Sequence, residues 1–195
     1  GDSLGRAIAN IFIGRAKTDK MGAVLGNPVV WDSITTAQTA TGKVLWESME
    51  NPARPMLAPN FGHVTPWTIT SDQVYNTYRL PPPPAVGTPE FQTALDEVLD
   101  YSENATKEEQ HIAFRWDDGT STYTPPGHWN YIATPYIHDA HLNPLRAARV
   151  FTYLNMAMQD AGICVWDSKY YYFFPRPTNV NSDIKTILPI PNFPS

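Results

Sequence analysis

Apolar residues recur along this chain at helical rather than strand spacing. Leu4, Ile8, Ile11 and Phe12 fall at i, i+4, i+7 and i+8, so one face of an N-terminal helix is apolar. Ser3 stands where it can cap that helix, and the pattern fades near Lys20–Gly22. Residues 26–70 lose the period. Asn27-Pro28, Asn51-Pro52, Arg54-Pro55, Ala58-Pro59 and Thr65-Pro66 punctuate them, which predicts mostly loop with brief turns. A loop of that length is more often functional than idle. Pro81–Pro84 form a four-proline run that reads as a stiff connector rather than a docking peptide. Thr88 followed by Pro89 is a cap with a first-turn proline, leading a helix with Phe91, Leu95, Val98 and Leu99 on one face. Thr106 and Glu109 form a capping box that opens the next helix. Ser121–Pro126 reads as loop. Asn143-Pro144 starts the longest periodic segment, through Leu145, Ala148, Val150, Phe151, Leu154 and Met158, with a break or kink at Gly162 and resumption to about Phe174. No internal repeat and no alternating strand set is present. The expected class is all-α: a helical bundle with long proline-rich loops, one domain over residues 1–195.

Composition sharpens this in two places. With 19 Pro, 8 Phe, 10 Tyr and 6 Trp, the loops should be ordered and pinned by aromatic rings. A net charge of −5, from 14 Lys+Arg against 19 Asp+Glu, argues against a nucleic-acid binder. An anion would need a local basic cluster. The single cysteine, Cys164, excludes an internal disulfide framework and lies among apolar neighbours, so an inert, buried thiol is expected. No apolar run reaches the ~18 residues of a membrane span. No secretory signal is visible, and any export signal would lie upstream of Gly1.

The densest candidate chemistry is the segment Lys169–Pro177. Lys169 and Arg176 are separated by five aromatics and a proline, at close to two helical turns, which places them on nearly one face. Lysine offers a point charge and arginine a planar fork for two oxygens of a tetrahedral anion. Pro177 should push Arg176 out of helical geometry. On spacing alone, an aromatic core helix with two snorkelling cations explains the segment as well or better.

The segment also resembles the first signature, Lys-x6-Arg-Pro, of the superfamily of vanadium-dependent haloperoxidases and type-2 phosphatidic acid phosphatases. The resemblance extends to the lead-in Asp160–Lys169, with Trp166 three residues before the lysine, to Glu109–Trp116, to Thr124–Ala133 and to Pro59–Pro66, where Phe61 replaces the usual tryptophan. It implies the helical bundle of that superfamily, here incomplete at both ends. The second signature, Pro-Ser-Gly-His, ordinarily follows a Phe-Pro-Ser tract, and the chain stops at Phe193-Pro194-Ser195; the later Arg/His signature is absent. Carried over, the resemblance makes Lys169 and Arg176 the catalytic, oxyanion-binding pair and places Trp166 and His128 beside the substrate. It implies vanadate as cofactor with peroxide and halide as substrates, or no cofactor and a phosphate ester if the chain is an acid phosphatase. The soluble, loop-rich context favours the haloperoxidase branch. The remaining segment of the site would come from the rest of the same protein, as one chain or as a second, and export to the periplasm or the outside is implied.

Against these stand blander readings. His138 and His141 at i, i+3 have metal-sharing spacing, and Glu108-x-x-His111 is half of a di-iron unit, but helix-surface hydrogen bonding explains both better and no directly ligated metal is expected. A backbone-bonded, structural His128 is as good a reading as a pocket one. No phosphate-binding glycine loop or nucleophile elbow exists. A non-catalytic helical binding domain remains as a third class.

Overall fold

The computed structural model describes residues 1–119 and 121–195, and among them every regular element is helical. In chain order these are α1 (Asp2–Ala16), a 3₁₀ turn (Met21–Ala23), α2 (Pro28–Thr39), a second 3₁₀ turn (Phe61–His63), α3 (Ser71–Asn76), α4 (Pro89–Asn104), α5 (Lys107–Trp116), α6 (Thr124–Asp139), α7 (Pro144–Tyr172) and α8 (Pro177–Val180).

Local chemistry sets most of the starts. Asn27, Thr88 and Asn143 each accept the backbone N–H three residues on, and a proline fills the next position, where no N–H is needed. Thr70 with Gln73 and Thr106 with Glu109 close reciprocal capping boxes on α3 and α5. Three expectations are corrected. Ser3 lies inside α1, whose cap is Gly1 with no side-chain bond, and the helix stops at Ala16, four residues early. Asn27-Pro28 is a helix start rather than loop punctuation, so residues 26–70 contain the twelve-residue α2. Thr124, Pro125 and Pro126 form the first turn of α6 instead of a loop.

The 29-residue α7 is the element on which the loops are hung. It runs unbroken through Gly162, whose missing side chain admits the Phe61 ring: a Cβ there would lie 3.1 Å from Phe61 Cε1. Gly62 works from the other side. A Cβ on it would lie 2.7 Å from the backbone of Asp167, so the Phe61–His63 turn presses against α7 at closer range than any side chain allows. Buried polar groups of α7 then bind the loop backbone. Asp160 accepts from Trp67 N at 2.6 Å, Thr68 N at 2.7 Å and Thr68 Oγ1 at 2.6 Å. Ser168 Oγ accepts from Leu80 N at 3.0 Å, and Tyr170 donates its hydroxyl to Leu57 O at 2.6 Å. Without these partners each buried group would carry its full desolvation cost.

Apolar packing follows the same axis. Tyr170 and Phe173 join Trp46 and Met56 in one cluster, and Ile163 joins Val64 and Val74 in a second. Phe91 and Leu95 of α4 pack with Ile184 in a third, against the half-buried Phe174. The N-terminal half of α7 and all of α1 contribute no buried residue before Asp160. The core therefore gathers around the C-terminal turns of α7, where the basic residues are.

Candidate functional site

The end of α7 is built without a glycine. Phe173 takes the left-handed cap position, φ 48° and ψ 39°, which costs an L-residue roughly 1–2 kcal/mol. Burial of its ring to 3 % exposure and an edge contact with Trp46 at 5.6 Å offset that cost. The carbonyls left free by the helix end are taken up by neighbours. Gln38 Nε2 donates to Tyr170 O and Tyr171 O, and Trp46 N donates to Phe173 O at 3.1 Å. Two residues on, the fully buried Pro175 prevents any resumption of the helix.

Arg176 thus stands beyond a chain reversal, in extended geometry with φ −68° and ψ 150°, its N–H held by Asn179 Oδ1 at 3.0 Å. Pro177 does exclude it from a helix, as its position predicts. The two basic residues do not share a helical face: Lys169 belongs to the last turn of α7, and Arg176 is the cap of α8. They meet at Phe193 instead. Lys169 Nζ lies 5.2 Å and the Arg176 guanidinium 4.8 Å from the centre of that ring. Lys169 Nζ donates to Pro194 O at 3.3 Å, and Arg176 Nε donates to Phe193 O at 3.1 Å. The Trp166 ring, 5.1 Å from Phe193 and edge-on to Phe61 at 5.6 Å, completes the group.

The loop segment that brings Phe193 here is tied down by Asn192, which is 8 % exposed. Its amide donates to Arg54 O and Pro55 O, its Oδ1 accepts from Ser48 Oγ at 2.6 Å, and its carbonyl accepts from Leu57 N. Ser195 N closes the segment onto Phe174 O at 3.0 Å.

The electrostatics are unbalanced. Among the described residues neither Lys169 nor Arg176 has a carboxylate partner. Burial, and then repulsion from Arg176, pull the Lys169 ammonium from its ordinary 10.5 down to about 8. Burial also lowers Arg176. Arg176 Nη2 and Trp166 Nε1 are buried donors with no acceptor among the described residues. The nearest acid in sequence, Asp167, is committed elsewhere: it binds Arg79 through two oxygens at 2.7 and 2.9 Å, with Arg79 stacked on Tyr171 at 3.7 Å. Two neighbouring half-buried cations with a spare donor and no counter-charge among the described residues form a set that an oxyanion would complete.

Of the four candidate residues, the fold gathers Lys169, Arg176 and Trp166. His128 is placed differently. It is 2 % exposed, its Nδ1 sits 2.9 Å from Asp118 Oδ1, and its ring packs on Trp116 and Tyr123. None of those contacts reaches the cations, and its anchor is a carboxylate rather than backbone. His138 is exposed beside Asp139, and no cluster of three metal-ligating side chains occurs among the described residues. Cys164 is half-buried, with its thiol pushed up by burial. Phe193, Asp160 and the Arg79–Asp167 pair were not singled out from sequence. The acids carried a signal: Asp160 and Asp167 are two turns apart and flank the apolar stretch Ala161–Trp166, so both should face partners.

The fold is similar to that in the crystal structure of a bacterial vanadium-dependent iodoperoxidase, with a TM-score of 0.68 and 28% sequence identity. The match covers 81% of this chain and 42% of that one, so the chain spans less than half the length of its structural relative. No family model and no curated protein matches the sequence. Among the described residues no helix is long and apolar enough to cross a membrane.

Proposed function

Taking as premise that the chain carries the helical fold of the vanadium haloperoxidase/type-2 phosphatidic acid phosphatase superfamily, we propose that it forms the lysine–arginine part of an oxyanion site in a vanadium haloperoxidase-like enzyme. One observation carries the reading. Arg176 and Lys169 converge on Phe193 as half-buried cations with no carboxylate partner among the described residues, and Arg176 Nη2 is a buried donor with no acceptor there. A donor-only set of this kind fits phosphate or vanadate and repels a metal cation.

Vanadate, when bound, would supply the centre at which peroxide is turned against halide. The chain's own contribution is charge and shape. Arg176 offers its free guanidinium edge to one or two oxygens and stays protonated at all working pH values. Lys169 neutralises a further oxygen while its ammonium keeps a proton, below about pH 8. Phe193 and Trp166 wall the cations with apolar surface, which strengthens each contact by excluding water. His128 has no part in this set. The haloperoxidase branch is favoured over a phosphatase because the structural relative is an iodoperoxidase.

The test is orthovanadate binding to the full-length protein, followed by vanadium NMR. Arg176→Ala should weaken binding at least about tenfold, the cost of one charge-assisted bond, with helical circular dichroism retained. Wild-type affinity in that variant overturns the assignment. Iodide oxidation with peroxide, compared with hydrolysis of an aryl phosphate, separates the two branches.

A further inference from the structure

The segment Trp46–Met49 is bonded to three of the chain sections that place the two cations. Trp46 N donates to Phe173 O at 3.1 Å, where the chain reverses. Ser48 Oγ donates to Asn192 Oδ1 at 2.6 Å, and Asn192 ties down the loop that carries Phe193. Asn179 Nδ2 donates to Glu47 O at 3.0 Å and to Met49 Sδ at 3.2 Å. The same amide holds Arg176, whose backbone N–H donates to Asn179 Oδ1 at 3.0 Å. One side chain therefore joins the Met49 thioether to the backbone of Arg176. Met49 is also the most open of the five methionines. It is 58% exposed, against 44% for Met21 and 9% for Met56, while Met156 and Met158 are half-buried. Among the described residues, no other methionine sulfur is hydrogen-bonded.

We propose that Met49 is a site of oxidation by hydrogen peroxide, and that its sulfoxide loosens the backbone hold on Arg176. The reaction needs no further group. A sulfur lone pair attacks one peroxide oxygen, and an S–O bond forms as the O–O bond breaks. The departing hydroxide takes the proton of the transferred hydroxyl and leaves as water. Sulfur loses two electrons, peroxide gains them, and a flexible apolar side chain becomes polar and chiral. The loosening follows from where the oxygen can go. On the lone pair that faces Asn179, the new oxygen would stand in the 3.2 Å contact and push the amide away. On the other lone pair, the sulfur gains positive character and stops accepting from Nδ2. Either epimer breaks the present contact, so the amide must turn to new partners and draws its Oδ1 from the Arg176 N–H. In a peroxide-consuming enzyme the anion would then be held less tightly as peroxide accumulates. That consequence rests on the oxyanion reading of Arg176; the oxidation and the loosening do not.

The test treats the full-length protein with hydrogen peroxide, without halide or vanadate, and follows each methionine by peptide mass mapping. Hydrogen exchange at the Arg176 amide and sulfate affinity are measured before and after. Met49 should gain its oxygen ahead of the other four methionines. Exchange at the Arg176 N–H should then rise about fivefold, the fold-change of one neutral hydrogen bond, and sulfate affinity should fall by about the same factor. Methionine sulfoxide reductases for both epimers should restore both values. Met49→Leu has no sulfur and nearly the same volume, and Asn179 keeps Glu47 O in it, so it should match untreated wild type and not respond to peroxide. The proposal is overturned if Met49 is still reduced after Met21 has reacted, or if its sulfoxide leaves Arg176 exchange unchanged. An equal rise in peroxide-treated Met49→Leu also overturns it, by placing the reactive residue elsewhere. If untreated wild type binds no sulfate while peroxide still raises Arg176 exchange, the oxyanion reading falls and the oxidation site stands.

Discussion

Lys169 should impose a pH dependence on anion binding and an opposite one on stability. Its ammonium is held near 8 by burial first and by Arg176 second, against an ordinary 10.5. A dianion between the two cations favours the charged form, so the bound state holds the Lys169 proton to higher pH than the free state. Above about pH 8, binding must then take up a proton. Affinity is expected to be flat below about 8 and to fall by up to about tenfold per pH unit above it, the slope of one linked proton. Stability without anion runs the other way. Below about 8 both folded and unfolded chains carry the proton, and the folded state bears the full penalty. Between about 8 and 10.5 only the unfolded chain keeps it, so the unfolded state binds more protons and stability rises with pH. The ammonium is partly exposed, so after discounting for screening the gain is roughly 1–2 kcal/mol rather than the full shift.

Sulfate is the appropriate probe, since it stays a tetrahedral dianion across this window while phosphate and vanadate change their own protonation. Its affinity would be measured by calorimetry at constant ionic strength from pH 6 to 10 (a range of about four units spanning the transition). Arg176 remains charged throughout, and burial pushes Tyr170 above the window. Lys169→Arg, which cannot lose its charge, should bind sulfate with the high-pH fall removed. An equal fall in Lys169→Arg and wild type would refute the reasoning by placing the proton elsewhere, and a flat wild-type profile would refute it by taking the lysine away from the anion.

Two structural predictions follow from the same region. Asp167→Ala leaves the Arg79 guanidinium against Tyr171 without its two-oxygen partner and should cost about 3 kcal/mol in urea denaturation, the lower end for a broken buried pair because Arg79 keeps some solvent; a loss below about 1 kcal/mol would show the pair to be incidental. Gly62→Ala puts a methyl 2.7 Å from the Asp167 backbone, which helix α7 cannot yield, and should cost about 1–3 kcal/mol in a thermal melt. An unchanged Tm would mean that the Phe61–His63 turn moves freely off the helix.

What the sequence makes legible here is what local chemistry decides. Thr88-Pro89, Thr106…Glu109 and Asn143-Pro144 mark starts of α4, α5 and α7 because the cap and the first-turn proline act within three residues. Asn27-Pro28 has the same form and starts α2, yet the proline-rich surroundings and weak apolar period hide it; α2 is held by Trp31 and Ile34 packing on the Trp46 cluster, a tertiary cause with no local trace. The end of α1 is similar. Arg15 donates to Thr65 O and Pro66 O and lies 3.8 Å from the Trp67 ring, contacts some fifty residues away that no window can see.

The site divides along the same line. Lys169 and Arg176 are legible as a pair because their residue types and resemblance name them, but the geometry that joins them is not the helical spacing that suggested it. A seven-residue separation on one helix would present both cations to a single face of solvent, where water screens them. The reversal at Phe173 takes Arg176 off the helix, and the returning segment at Asn192 lays one phenyl ring against both side chains. The same reversal makes them half-buried neighbours, lowers Lys169 and leaves Arg176 Nη2 without an acceptor among the described residues. The electrostatic demand for an anion is therefore a product of the loop return rather than of the motif, and substitutions at Phe173 or Asn192 should weaken anion binding without touching either cation.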